Sequence, residues 1–227
     1  SQNRPIEALI LFSAHYLPSL FLLGARLLSY SSRYSVFHLQ YLVTALPQAL
    51  LVLLLYFRRF NSFSGLAPSP FRAAYVLQSL PIFLFLYLLS LSSVWISSHI
   101  SGLAGLPSPQ SPWRFSSYPL LPLLFFTSLL TGYCEELFFR GYLLTIFEKQ
   151  GLKPWPAILV SSLLFAAGHG YGGITGIIFS ALTGIFLSLH FYSRRNIHTL
   201  AIGHGLYNFL ALLLTYFLPN PGQLSIL

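Results

Sequence analysis

Six polar residues in the second half of the chain have types and spacings that suit hydrolysis. Glu135 and Glu136 stand side by side in a long apolar run, and Arg140 follows four residues after the second. His169, His204 and Asn208 recur downstream, each within an apolar stretch of its own. A buried carboxylate can take a proton from water, and an imidazole beside it can hold that water. Hydrogen-bond donors aimed at the oxygen where charge develops then stabilise a tetrahedral intermediate. Glu135 is the candidate base and His169 its partner on water, while His204 and Asn208, one helical turn apart on one face, are candidate oxyanion donors. Arg140 lies on the same helical face as Glu136 and can hold it ionised, which makes Glu136 an orienting residue. That pairing accounts for Glu136 and leaves Glu135 without an evident partner.

The elements that position these groups must be membrane helices. The chain has 227 residues, of which 55% are hydrophobic, 17% aromatic and only 7% charged. A soluble domain has about 25% charged residues, so this chain cannot clothe itself in a solvated shell. It reads as a single integral membrane domain, 1–227, with the lipid bilayer as its surroundings. Only four acidic residues serve the whole chain. Two adjacent ones at membrane depth cost several kcal/mol unless paired, hydrated or protonated, so they mark a functional site.

The net charge of +8 does not indicate nucleic acid, because basic pairs such as Arg58-Arg59 and Arg194-Arg195 sit at the ends of apolar runs. That placement anchors membrane helices. A nucleic-acid groove needs a basic stripe on a polar face. The single cysteine, Cys134, excludes an internal disulfide and any multi-cysteine metal site. With no histidine near it in sequence, it reads as a small buried hydrophobe rather than a nucleophile. The chain has no methionine, even at its first position, and therefore reads as trimmed.

The expected fold is all-α and polytopic. Seven apolar runs are long enough to span a bilayer: roughly 6–29, 36–57, 73–99, 119–147, 155–170, 173–192 and 197–218. Residues 101–118, rich in Gly and Pro, read as an extramembrane loop. Pro18, Pro47 and Pro81 fall inside spans and kink them. Near the span ends, Arg4, Arg58, Arg59, Arg72, Lys149, Lys153, Arg194 and Arg195 lie on the N-terminal side, against Arg26, Arg33 and Arg114 opposite. The bias predicts a cytoplasmic N-terminus and, with an odd number of spans, an external C-terminus.

Helix rise tests whether the polar residues can meet. At 1.5 Å per residue, Glu135 lies about 20 Å, His169 about 22 Å, His204 about 10 Å and Asn208 about 16 Å from the cytoplasmic ends of their spans. These depths converge on one mid-membrane cavity leaning towards the cytoplasm. Gly168, Gly170, Gly172 and Gly173 around His169 predict a helix end and a tight turn at that depth. Irregular backbone there must be lined by protein or water.

Three patterns in order, Glu135-Glu136-x-x-x-Arg140, Phe165-x-x-x-His169 and His204-x-x-x-Asn208, resemble the motifs of the CAAX protease and bacteriocin-processing (Abi) family of intramembrane endopeptidases. That family includes the type II prenyl-protein proteases. The resemblance covers residues 119–218 as a catalytic core in the last four spans; residues 1–118 are N-terminal spans without a comparable motif. Seven spans are one fewer than the eight in some members. The resemblance implies a cavity open to the cytoplasmic leaflet. It also implies Glu135 and His169 as the water-activating pair, and His204 and Asn208 as the oxyanion holders. The implied substrate is a membrane-associated peptide or protein. The implied location is an integral membrane, by compactness a prokaryotic inner one.

Glu135, His169 and His204 also make up the one-carboxylate, two-histidine set of a catalytic zinc site. The chain has no His-Glu-x-x-His, and two histidines on zinc would leave the oxyanion to Asn208 alone. A metal-free glutamate mechanism without cofactor is therefore favoured, with zinc as the alternative. Two other classes compete. A proton-coupled transporter would also use intramembrane Glu and His, but such carriers show internal repeats and none is evident here. An immunity or partner-binding protein could keep the fold without turnover. Tyr142 and Tyr207 are candidate substrate contacts. His15, His38, His99, His190, His198, Glu7 and Glu148 read as packing or interfacial residues.

Overall fold

The computed structural model describes residues 70–103, 121–170 and 173–217, together with Ile6, Glu7, Ile10, Phe12, Ser13 and Leu50. The described residues contain helices and no strand. In chain order they are α1 (Ala74–Leu103), α2 (Leu121–Glu136), a π-helical segment (Leu137–Leu144), α3 (Thr145–Lys149), α4 (Pro154–Gly168), α5 (Gly173–Arg194) and α6 (Ile197–Phe217). The expected spans 6–29 and 36–57 lie almost wholly outside the described residues, as does most of the expected loop.

Three helical stretches, Ala74–Ile100, Ile174–Arg194 and Ile197–Leu214, are long and apolar enough to cross a membrane. The protein is an integral membrane protein. The outward face of α1 is a column of exposed Leu77, Leu80, Leu84, Leu88 and Leu91, an apolar surface of the kind that suits lipid. Pro81 sits inside α1 as expected.

The run expected as one α-helical span over 119–147 is helical from Leu121 onward but changes pitch. After Glu136 it widens into π geometry for 8 residues before returning to α. π-helical turns are rare, are found frequently at functional sites, and persist where surrounding packing supports them. That packing is present here. Every residue from Phe138 to Ile146 is buried, so neighbours enclose this segment on all sides. Phe138, Phe139, Tyr142, Leu143, Ile146 and Phe165 form one cluster around it. A second cluster joins Ile82 and Leu86 of α1 to Leu144, Leu187, Phe191 and Leu200.

Two glycines bring α2 and α6 into backbone contact. A Cβ on Gly132 would lie 2.8 Å from the Gly205 nitrogen, and one on Gly205 would lie 2.8 Å from Leu129 Cα. The pairs Leu129–Gly205, Gly132–Ala201 and Tyr133–His198 show residue numbers rising on one helix as they fall on the other, so the two helices are antiparallel. At the far end of α5, Arg195 turns the chain with φ 49°. Its guanidinium makes a two-pronged pair with Glu148 after crossing to α3. That hydrogen bonding pushes the Arg195 pKa above its ordinary value. Asn196 then caps α6, its side-chain oxygen accepting the Thr199 amide at 3.2 Å.

Candidate active site

The site lies where the end of α2 and the start of the π-helical segment face α6. Side chains on a helix lean towards its N-terminus. In an antiparallel pair they therefore lean towards each other along the axis. Glu135 and Glu136 on α2 meet His204 on α6 in this way. The Gly132–Gly205 contact sets the short reach they must cover.

Glu136 is fully buried and its Oε1 accepts two bonds, from Arg140 Nη1 at 3.0 Å and from His204 Nδ1 at 2.8 Å. The pairing with Arg140 expected from four-residue spacing is present. Arg140 is likewise fully buried, and its Nη2 donates to the Gly184 carbonyl of α5 at 3.2 Å. A Cβ on Gly184 would lie 2.9 Å from Ser162 Cα, so this glycine also holds α5 tight against α4. The guanidinium stands 4.8 Å from the centre of the Phe165 ring, a cation–π contact that compensates part of its desolvation.

His204 is 3% exposed and has a defined orientation. Its Nδ1–H donates to the Glu136 carboxylate, so Nε2 is the atom left for chemistry. Nε2 lies 3.6 Å from Glu135 Oε2, too long for a hydrogen bond. Among the described residues, that oxygen has no hydrogen-bond partner although it is buried. A buried carboxylate oxygen left open beside an oriented imidazole is a place for a reactant.

His169 ends α4, as its glycine neighbours predict, and is half-buried. Its Nδ1 donates to the Phe165 carbonyl at 2.8 Å, which again leaves Nε2 unprotonated in the neutral ring. The structure joins it to the other groups through Phe165, whose ring lies 4.4 Å from His169 and 6.0 Å from His204. Asn208 is half-buried, one turn beyond His204 on the same face of α6. Thus Glu135, Glu136, Arg140 and His204 meet directly. His169 shares their aromatic support, and Asn208 follows from the helix of His204.

Two expectations for neighbouring residues change. Tyr142 is fully enclosed and donates its hydroxyl to Glu7 at 2.7 Å, so it does not line an open wall. Tyr207 packs against the second cluster, its ring 5.7 Å from Phe179. Sequence reasoning missed the Gly184 carbonyl and the part played by Phe165 as a shared platform. A backbone oxygen carries no sequence signal, whereas the Phe165-x-x-x-His169 spacing could have shown that the ring and the imidazole lie on one face.

Among the described residues, no group of three or more His, Cys, Asp or Glu gathers so as to hold a metal ion. Cys134 is buried as a small hydrophobe would be.

Residues 116–210 match the family model for the type II CAAX prenyl endopeptidase Rce1-like proteins. This stretch is Rce1-like. It contains all six residues singled out by chemistry, and it bears out the family resemblance in their motifs. The family so matched is one of CAAX prenyl endopeptidases, and the match covers less than half of the chain. No curated protein and no solved structure matches the chain.

Proposed function

We propose that the protein is an intramembrane endopeptidase of the glutamic type, and that Glu135 is its base. The observation that carries this reading is the buried Glu135 Oε2, without a hydrogen-bond partner among the described residues, beside an imidazole whose other nitrogen is tied to Glu136. A carboxylate buried without a partner costs stability, and such a cost persists at sites that perform chemistry.

In the proposed reaction, Glu135 and His169 hold a water against the scissile carbonyl. Glu135 takes one proton from that water as its oxygen bonds to the carbonyl carbon. The carbonyl oxygen becomes an oxyanion facing α6, where the Asn208 amide donates to it and His204 stands beside it. Collapse of the tetrahedral intermediate breaks the carbon–nitrogen bond, and the proton held by Glu135 passes to the departing amine. Glu136 and Arg140 stay ionised and keep His204 turned towards the reaction. No step uses a metal. The substrate is a peptide or protein held at the membrane, cut towards the cytoplasmic face.

Replacing Glu135 by Gln tests the reading. Membrane-associated peptides from cells with the active protein should include products that are absent with the variant, while the variant remains folded in detergent. Unchanged processing by E135Q would remove Glu135 from the mechanism. Proton or solute flux abolished by the same change would point to a transporter instead.

A further inference from the structure

Glu7 is one of only four acidic residues, and it lies nearly 130 positions before the paired glutamates. Interfacial anchoring does not explain its placement. Its Oε1 accepts the hydroxyl of Tyr142 at 2.7 Å, and Tyr142 is completely buried in the π-helical segment. The same N-terminal segment makes a second contact with that element. Phe12 sets its ring edge-on to Phe139 at 6.4 Å. Tyr142 and Phe139 are three residues apart, so the two contacts fall within one turn of the segment.

From there the packing leads directly to the site. The Phe139 ring is edge-on to Phe165 at 5.1 Å, and Phe165 supports His169, His204 and Arg140. The Tyr142 ring stacks on Phe138 at 6.0 Å. The segment holds Arg140 between these contacts and begins directly after Glu136. π geometry is less favourable than α geometry and needs outside support. If the segment relaxed to α pitch, Arg140 and the residues after it would turn about the axis relative to Glu135.

We infer that Glu7 is a positioning residue: through the Tyr142 hydroxyl, the N-terminal segment clamps the π-helical segment and thereby sets the catalytic register. The clamp acts on kcat rather than on substrate affinity, because neither residue touches the reacting atoms. The kinetic part rests on the peptidase reading; the structural part does not.

Three variants and two readouts test it. Tyr142→Phe removes only the hydroxyl, Glu7→Leu removes the acceptor together with its charge, and Glu7→Gln keeps an acceptor oxygen. Hydrogen exchange of the amides of Leu137–Leu144 in micelles should quicken about tenfold in Tyr142→Phe and Glu7→Leu, as expected when a buried hydrogen bond is lost. It should stay near wild type in Glu7→Gln. With a cleaved peptide in hand, kcat should fall about tenfold in the first two variants at constant KM, and the double variant should be no worse than either single one. Unchanged exchange in Tyr142→Phe overturns the clamp whatever the activity. Losses that add in the double variant, or a KM that rises with kcat unchanged, overturn it as well. A wild-type protein that cleaves nothing refutes the peptidase reading alone, since the exchange pattern still decides the clamp.

Discussion

Replacing Gly132 by Ala should uncouple the two halves of the site. The added Cβ would sit 2.8 Å from the Gly205 nitrogen and 3.0 Å from Gly205 Cα, with the Ala201 carbonyl oxygen nearer still. Ordinary contacts between such atoms begin at about 3.5 Å, so α2 and α6 must part by about 0.5–1 Å at this level. The obstacle is backbone, which cannot rotate away as a side chain would. Overpacking of this kind costs about 1–3 kcal/mol. The same movement would stretch the Glu136–His204 bond from its present 2.8 Å to about 3.5 Å or more, beyond hydrogen-bonding range. Misplacing a reacting group by about 1 Å lowers rates by about a hundredfold. Cleavage of a membrane-associated peptide by purified G132A, compared with its thermal unfolding in detergent, measures both effects. Gly205→Ala should behave alike, because its Cβ meets Leu129 Cα at 2.8 Å. Wild-type turnover with an unchanged melting temperature in G132A would refute the claim that this helix contact sets the distance between carboxylates and imidazole.

Other perturbations separate chemistry from support. Glu135→Gln should abolish cleavage without lowering the melting temperature, because it removes a buried charge whose Oε2 has no hydrogen-bond partner among the described residues; a fall in stability matching the fall in rate would argue for a structural role. Arg140→Ala leaves the fully buried Glu136 without its cation and should cost about 3–5 kcal/mol in unfolding measurements; an unaffected protein would show that the pair is not needed. The partly exposed Glu148–Arg195 pair should matter little: Arg195→Gln is expected to change stability by about 0–1 kcal/mol in thermal unfolding with turnover retained. Protein washed with chelator should keep its activity, and one tightly held zinc ion per active chain, needed for turnover, would overturn the metal-free mechanism.

The helical membrane character was legible in the sequence because hydropathy and span length are additive along a chain, and lipid permits few alternatives. The starts and ends of α1, α4, α5 and α6 fall within a few residues of the apolar runs that predict them. The Glu136–Arg140 pair was legible for a similar reason, since both partners lie on one helix with four-residue spacing. The motifs around Glu135, His169 and His204 indicated the family because each is local, and their order along the chain adds specificity.

Only the tertiary structure decided which groups meet. That His204 Nδ1 rests on Glu136 and turns Nε2 to Glu135 depends on the antiparallel approach of two helices about 70 residues apart, which no local pattern encodes. The depth reasoning placed these residues at compatible heights, but rotation about each helix axis is set by packing. Gly132 and Gly205 look like any other membrane glycines until their backbones are seen in contact. The π-helical pitch after Glu136 was hidden as well, because residues that pack against it, Glu7 and Phe12 among them, lie far away in the chain. Composition and spacing thus determined the solvent, the elements and the chemical vocabulary of this protein. Long-range packing determined the geometry, because distances between separate helices depend on side-chain volumes from the whole chain at once.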